Sequence, residues 1–335
     1  MGPGSALRPR IQEDRRDSGV RTKTMPEQFK PSISLALLLA ACAATGEDSS
    51  APVEEKERMA VTAYSPEAVR TQTTFGAYLA QLDRSIQSWT AMFLSGDRAR
   101  DGQKLRSLAL DIEHRASKLF YELVEALETS PSEQNRCISA AALGFVRTEE
   151  SLTPLLNAIT DRSPEVRANA LLGLAVLGDP ETPLGGVVEA MRVGITPEIR
   201  SNAALAVIEV LRAGGTPSEG MVDAARLGLQ SEEPLVRTQC ALILAKEQDH
   251  IAIDDLSLQL SNDPVNTAAM AAGRALAYMG SREPTIKGRC ARALAASLRL
   301  TNSTVKASVI DDLRKLARAN YTTDEDWIQW AHRLD

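Results

Sequence analysis

The feature that most restricts this chain is a short pattern that returns at one period. It reads Asn135-Arg136-Cys137-Ile138-Ser139-Ala140-Ala141-Ala142-Leu143-Gly144, then Pro164-Glu165-Val166-Arg167-Ala168-Asn169-Ala170-Leu171-Leu172-Gly173. It comes again as Pro197-Glu198-Ile199-Arg200-Ser201-Asn202-Ala203-Ala204-Leu205 and as Pro234-Leu235-Val236-Arg237-Thr238-Gln239-Cys240-Ala241-Leu242. A basic residue marks the register, and Arg136, Arg167, Arg200 and Arg237 stand 31, 33 and 37 residues apart. Two looser copies follow at 264–272 and 303–310, with Thr267 and Lys306 read at the marker position. A period of this length marks a stack of small helical units, none of which buries its apolar face except against the next. The proline suits a first helical turn, where its missing N–H would have had no partner. Ala140, Ala170, Ala203 and Ala241 leave room for neighbouring helices to approach closely.

Between the marked segments run second helices, read at 151–159, 184–193, 221–229, 253–260 and 285–298. Aromatic residues make up only 4% of the chain. Alanine and leucine dominate instead, which favours tightly packed helices over a sheet sandwich. The stretch Asp161-Arg162-Ser163-Pro164-Glu165-Val166-Arg167, followed by an Ala/Leu helix ending at Leu177-Gly178-Asp179, resembles HEAT repeats. It is most similar to the short type shared by bilin-lyase-like proteins, and the resemblance covers residues 130–320. It implies an all-α fold, an α-α superhelix of antiparallel helix pairs. It also implies that each marker arginine pairs with an acidic residue near a turn, with Asp161, Glu165, Glu198 and Glu233 as candidates.

Two long helical patterns precede the array. The first is read from Ser65 to Leu94, with Phe75, Tyr78, Leu79, Leu82, Ile86, Trp89 and Phe93 at spacings of three and four. The second is read from Gly102 to Glu128, with Leu105, Leu108, Ile112, Ala116, Leu119, Leu123 and Leu127 on one face. Together they predict an antiparallel hairpin over 65–129. After the array, residues 321–335 carry Trp327 and Trp330 in an aromatic-poor protein. Thr323 ahead of three acidic residues is a good helix start. The segment reads as a capping helix whose two tryptophans close the last apolar layer, in preference to a ligand-stacking pair.

Near the N-terminus, Ile33 to Cys42 is a run of ten residues without charge. A helix needs roughly 20 apolar residues to span a bilayer, so this run is no transmembrane anchor. Its length suits the apolar core of a signal peptide. Leu39-Ala40-Ala41-Cys42 resembles the lipobox of bacterial lipoproteins, which implies cleavage before Cys42 and acylation of its thiol. The expected organisation is an upstream, disordered extension at 1–24, a signal from Met25 to residue 41, and a tether over 42–64. At roughly 5–6 Å × √n, that tether would hold the folded body about 25 Å from the membrane. Ala43 is not the aspartate that retains lipoproteins at the inner membrane. In a host with two membranes the resemblance therefore favours the outer one, facing the periplasm.

From Cys42 onward the chain carries 31 basic and 40 acidic residues, a formal charge of −9. No basic stripe is visible, which argues against nucleic acid as a partner. Cys137, Cys240 and Cys290 lie far apart on apolar helical stretches and read as small buried hydrophobes. His114, His250 and His332 are isolated, and no cluster has metal-ligand spacing. Gly185-Gly186 and Gly214-Gly215 lack the strand and lysine of a phosphate loop and read as turns. Asp254-Asp255 and Asp311-Asp312 read as carboxylates placed by helix dipoles. No catalytic residue and no cofactor are expected. The sequence points to a membrane-tethered protein-binding scaffold with unidentified protein partners. The alternative is a lyase-like protein handling a chromophore or small molecule, which would need a pocket lined by His or Cys.

Overall fold

Local chemistry starts and stops the helices of the array. The computed structural model describes residues 75–95 and 98–334. The expected extension, the signal, Cys42 with Leu39, Ala40 and Ala41, the tether, and the helix start at Ser65 lie outside the described residues. Among the described residues there are fifteen α-helices and no strand. They are α1 (Phe75–Ser95), α2 (Arg98–Lys118), α3 (Phe120–Thr129), α4 (Glu133–Val146), α5 (Leu152–Ala158), α6 (Pro164–Leu177), α7 (Leu184–Val193) and α8 (Pro197–Ala213). Then follow α9 (Met221–Gly228), α10 (Pro234–Lys246), α11 (Ile253–Asn262), α12 (Asn266–Arg282), α13 (Lys287–Ser297), α14 (Ser303–Ala317) and α15 (Asp324–His332).

From α3 onward a shorter helix alternates with a longer one. The long helices α4, α6, α8, α10, α12 and α14 stack in order, each against the next, and each packs against the short helix that precedes it. Starts are set by side chains. The Ser132, Ser163 and Thr196 hydroxyls accept the backbone N–H three residues on, and the Asn302 side chain accepts two N–H groups. Pro164, Pro197 and Pro234 occupy first-turn positions. Ends are set by the left-handed conformation, which Gly178 and Gly214 adopt freely. Arg147, Gln248 and Arg318 adopt it at the ends of α4, α10 and α14 with a side chain attached.

Close approach holds the stack together. Ala140, Ala170, Ala203 and Ala241 are fully buried. Between α4 and α6 the backbones touch: a Cβ added at Gly144 would lie 2.3 Å from the Gly173 carbonyl oxygen. Glycine is required there by space.

Gly185-Gly186, read as a turn, lie in the first turn of α7. Two larger elements also depart from the sequence reading. The helix expected at 102–128 is two helices. Leu119 (φ −123°, ψ 35°) interrupts it, and α3 turns away from α2 to pack on α4. No proline or glycine marks the break, and the apolar spacing runs through it (Ile112, Ala116, Leu119, Leu123). The bend is therefore a tertiary decision. α1 remains packed on α2 and α4, through Trp89 stacked on Phe93 and edge-on to Phe145. The second departure is Thr267. Because Val265, not Asp263, precedes the first residue of α12, the residue equivalent to the marker arginines is Ala269. Pro264 here sits before the cap, which shifts the register by two.

The last long helix, α14, presents the exposed residues Ala307, Asp311 and Arg314 away from its buried face. α15 covers α13. Its start is a capping box in which the Thr323 hydroxyl accepts from Asp326 N–H and the Asp326 carboxylate accepts from Thr323 N–H. Trp327 and Trp330 are both buried, edge-on to each other with ring centres 5.9 Å apart, and Tyr321 packs edge-on to Trp327.

Candidate interaction surface

In α4 and α10 the fourth residue, an arginine, reaches the turn that leads into the next long helix. Arg136 in α4 makes a two-pronged ion pair with Asp161, Nε to Oδ2 at 3.0 Å and Nη2 to Oδ1 at 3.1 Å. The same carboxylate accepts the Ser163 N–H at 2.8 Å, so it closes the turn and joins two repeats at once. Burial raises the Asp161 pKa. The Arg136 and Ser163 hydrogen bonds and the Arg136 charge outweigh it, leaving the carboxyl below its ordinary value. Arg237 repeats the arrangement with Asp263, both contacts at 2.7 Å, and Asp263 accepts the Val265 N–H. Lys306 pairs with Asp324 at 2.5 Å.

The two middle rungs differ. Three residues before the start of α8 and of α10, where α6 and α12 have Asp161 and Asp263, stand Gly194 and Ser231. Arg200 donates from Nη1 to the Gly194 carbonyl at 2.7 Å, which matches the Arg136 contact to Ser130 O and the Arg237 contact to Ser231 O. It has no carboxylate partner among the described residues. Arg167 has neither, and its buried Nε is without a hydrogen bond. Glu165, Glu198 and Glu233, read as candidate partners, do not receive the markers. Glu165 takes the Ser163 hydroxyl, and Glu233 precedes the first residue of α10.

The same edge carries aliphatic side chains in contact with solvent. Val193 and Ile195 flank Gly194, Leu235 lies in the first turn of α10, and Leu300 lies ahead of α14.

The remaining candidates are scattered. Cys137 on α4, Cys240 on α10 and Cys290 on α13 are free thiols; the latter two are buried, whereas Cys137, also read as buried, is only half-buried. Burial pushes them up to about 11, 12 and 11, so little thiolate exists near neutral pH. His114, His250 and His332 are exposed, on α2, ahead of α11 and at the end of α15. Among the described residues no group of His, Cys, Asp or Glu could hold a metal ion, and no helix is long and apolar enough to cross a membrane.

One buried acid was not visible as such in the sequence. Asp254 and Asp255 do lie in the first turn of α11, but Asp312 lies in the later part of α14, where a helix dipole would not favour it. It is 2% exposed. Burial pushes its carboxyl up to about 6, with Arg274 and Lys315 only partly opposing. Its Oδ2, the Ser308 hydroxyl and Arg274 Nη2 are buried with no hydrogen-bond partner among the described residues. The Ser308–Asp312 spacing of four puts both on one face of α14, towards α12.

Residues 121–208 match the sequence family described as HEAT repeats. Over those residues the chain carries HEAT repeats. Similar solved structures include two engineered proteins. One is 19% identical over 63% of this chain and 98% of its own length, with a TM-score of 0.45, and the other is 17% identical over 76% and 72%, with a TM-score of 0.44. Human deoxyhypusine hydroxylase in complex with glycerol is 16% identical over 74% of this chain and all of its own, with a TM-score of 0.28. No curated protein sequence matches the chain. Along the stacked long helices, position four and the turns between repeats line one side of the array, and charge and apolar surface both vary along it.

Proposed function

We propose that this chain is a non-catalytic, protein-binding scaffold, tethered to a bacterial membrane through an acylated Cys42. The observation that carries the binding role is the recurrence of solvent-facing aliphatics at the turns ahead of or opening α8, α10 and α14: Val193, Ile195, Leu235 and Leu300. Isolated exposed aliphatics are ordinary, but these recur within four residues of a long-helix start in three repeats. A helical stack presents such positions as an extended surface for a protein partner. The tether rests on the lipobox-like Leu39-Ala40-Ala41-Cys42 and the uncharged run before it. In a host with two membranes, Ala43 favours the outer membrane, facing the periplasm. The raised thiol pKa values weigh against the lyase-like alternative, because a nucleophilic cysteine works as its thiolate.

Two arms test this reading in bacteria expressing the full chain. Labelled palmitate should enter the wild-type protein and not Cys42→Ala; label in both, or in neither, refutes the tether. Crosslinking in native membranes should capture one dominant protein, in lower yield from Cys42→Ala. A co-purifying pigment or small molecule without a protein partner refutes the scaffold role and supports the alternative.

A further inference from the structure

Along the edge, cation and carboxylate are kept together in two rungs and lost together in one, and two rungs break that pattern. Rungs one and four keep both, as Arg136–Asp161 and Arg237–Asp263. Lys306, on the last long helix, instead meets Asp324, the first residue of the short helix α15. Rung five has lost both: Ala269 stands at the cation position and Leu300 three residues before α14. Rungs two and three alone keep the arginine and lack the acid, at Arg167–Gly194 and Arg200–Ser231. The gap at Gly194 is built into the turn, because a Cβ there would lie 2.5 Å from the Ala190 carbonyl oxygen and 2.6 Å from Ile199 Cγ2. Ser231 replaces the turn-closing role of the aspartate, since its hydroxyl accepts the Glu233 N–H, but it supplies no charge. A half-buried guanidinium without a counter-charge is unfavourable in an isolated stack. Rung five disposes of that problem by having no cation.

We propose that Arg167 and Arg200 receive their missing carboxylates from the partner: this edge docks an extended, acidic segment of another protein. This deepens the scaffold reading and rests on it. The flanking surface sets the chemistry. Val193, Ile195 and Leu235 are 52%, 68% and 42% exposed around the two cations, and they call for aliphatic cover that a free anion does not provide. Adjacent packed helices lie about 8–10 Å apart, and an extended chain advances about 3.3 Å per residue. Two acidic residues separated by three positions therefore match two consecutive rungs, with an aliphatic residue between them over Ile195. Guanidinium forks suit paired carboxylate oxygens, as rungs one and four already display.

The test uses a display library of random dodecapeptides selected on the full-length protein. The expected binders carry Asp or Glu at i and i+3 with aliphatic residues nearby. Their affinity should fall at least tenfold for Arg167→Gln/Arg200→Gln, recover in part for Arg167→Lys/Arg200→Lys, and weaken with added salt. The double Gln variant should lower the thermal midpoint only slightly, because it removes no internal ion pair and only the Arg200 hydrogen bond to the Gly194 carbonyl. Binders that lack acidic residues, or that bind the Gln variant equally well, overturn the inference and leave the scaffold role standing. A selection that enriches no peptide overturns both.

Discussion

Replacing Asp312 by asparagine should stabilise the protein at neutral pH and have little effect near pH 4. Asp312 is buried on α14 with its carboxyl pushed up to about 6, against about 3.9 in an unfolded chain. A raised folded-state pKa means that the folded protein binds the proton more tightly than the unfolded one. The contribution of this group is then fully present below about pH 4 and is lost as pH rises through about 6. At about 1.36 kcal/mol for each pH unit between those two values, the loss reaches about 3 kcal/mol by about pH 7.5. Asparagine has nearly the shape of the protonated acid and never ionises. Urea unfolding of wild type and Asp312→Asn at intervals from about pH 4 to about pH 8 reads the difference directly. It should be near zero at the acid end and grow to about 2–3 kcal/mol in favour of the variant above about pH 7. A difference that does not change with pH, or a variant less stable than wild type at the alkaline end, would refute the argument. It would mean that Lys315 and Arg274 compensate the charge fully, or that the site opens to water.

Three further outcomes follow from the stack. Gly144→Ala should destabilise strongly, by about 1–3 kcal/mol or more, because its methyl group would enter the Gly173 backbone; a chemical-denaturation midpoint equal to wild type would show that α4 and α6 can separate. Arg237→Gln strands the Asp263 carboxylate, whose side chain is 2% exposed, and should cost about 3 kcal/mol, whereas Arg167→Gln should cost under about 1 kcal/mol; equal losses would contradict the difference between the rungs. At the C-terminal ends of α4 and α14, Arg147→Gly and Arg318→Gly relieve a left-handed backbone that glycine adopts freely and should raise the thermal midpoint slightly or leave it unchanged; a clear drop would mean that those side chains hold the turns.

The depressed Asp161 carboxyl has the opposite sign to Asp312. Its contribution is present above the ordinary carboxylate range and is lost only as pH falls below it. As sequence, Asp161 reads as a turn acid facing a marker arginine and Asp312 as a helix carboxylate, but nothing there reveals that their titrations shift in opposite directions. Both are short acids near other charges, and only the surroundings that a distant segment supplies separate them. The same holds for the markers. Four arginines at a matching register read alike, yet whether each meets a carboxylate depends on one residue in a turn 25 to 31 positions further on, in a connection whose length varies between repeats.

By itself the sequence determined what local chemistry and periodicity control. The repeat spacing, the Ser/Thr and proline starts, the glycine ends at Gly178 and Gly214 and the small buried alanines all specify an array of paired helices, because each acts within one or two turns of its own helix. Tertiary structure alone decided the rest: the bend at Leu119, the register at Ala269, the contact of Gly144 with Gly173, the burial of Asp312 and the two rungs without an acid. Each of these depends on what lies across an interface between helices from different repeats. There packing and desolvation set the energies, and the residues that meet are remote in the chain.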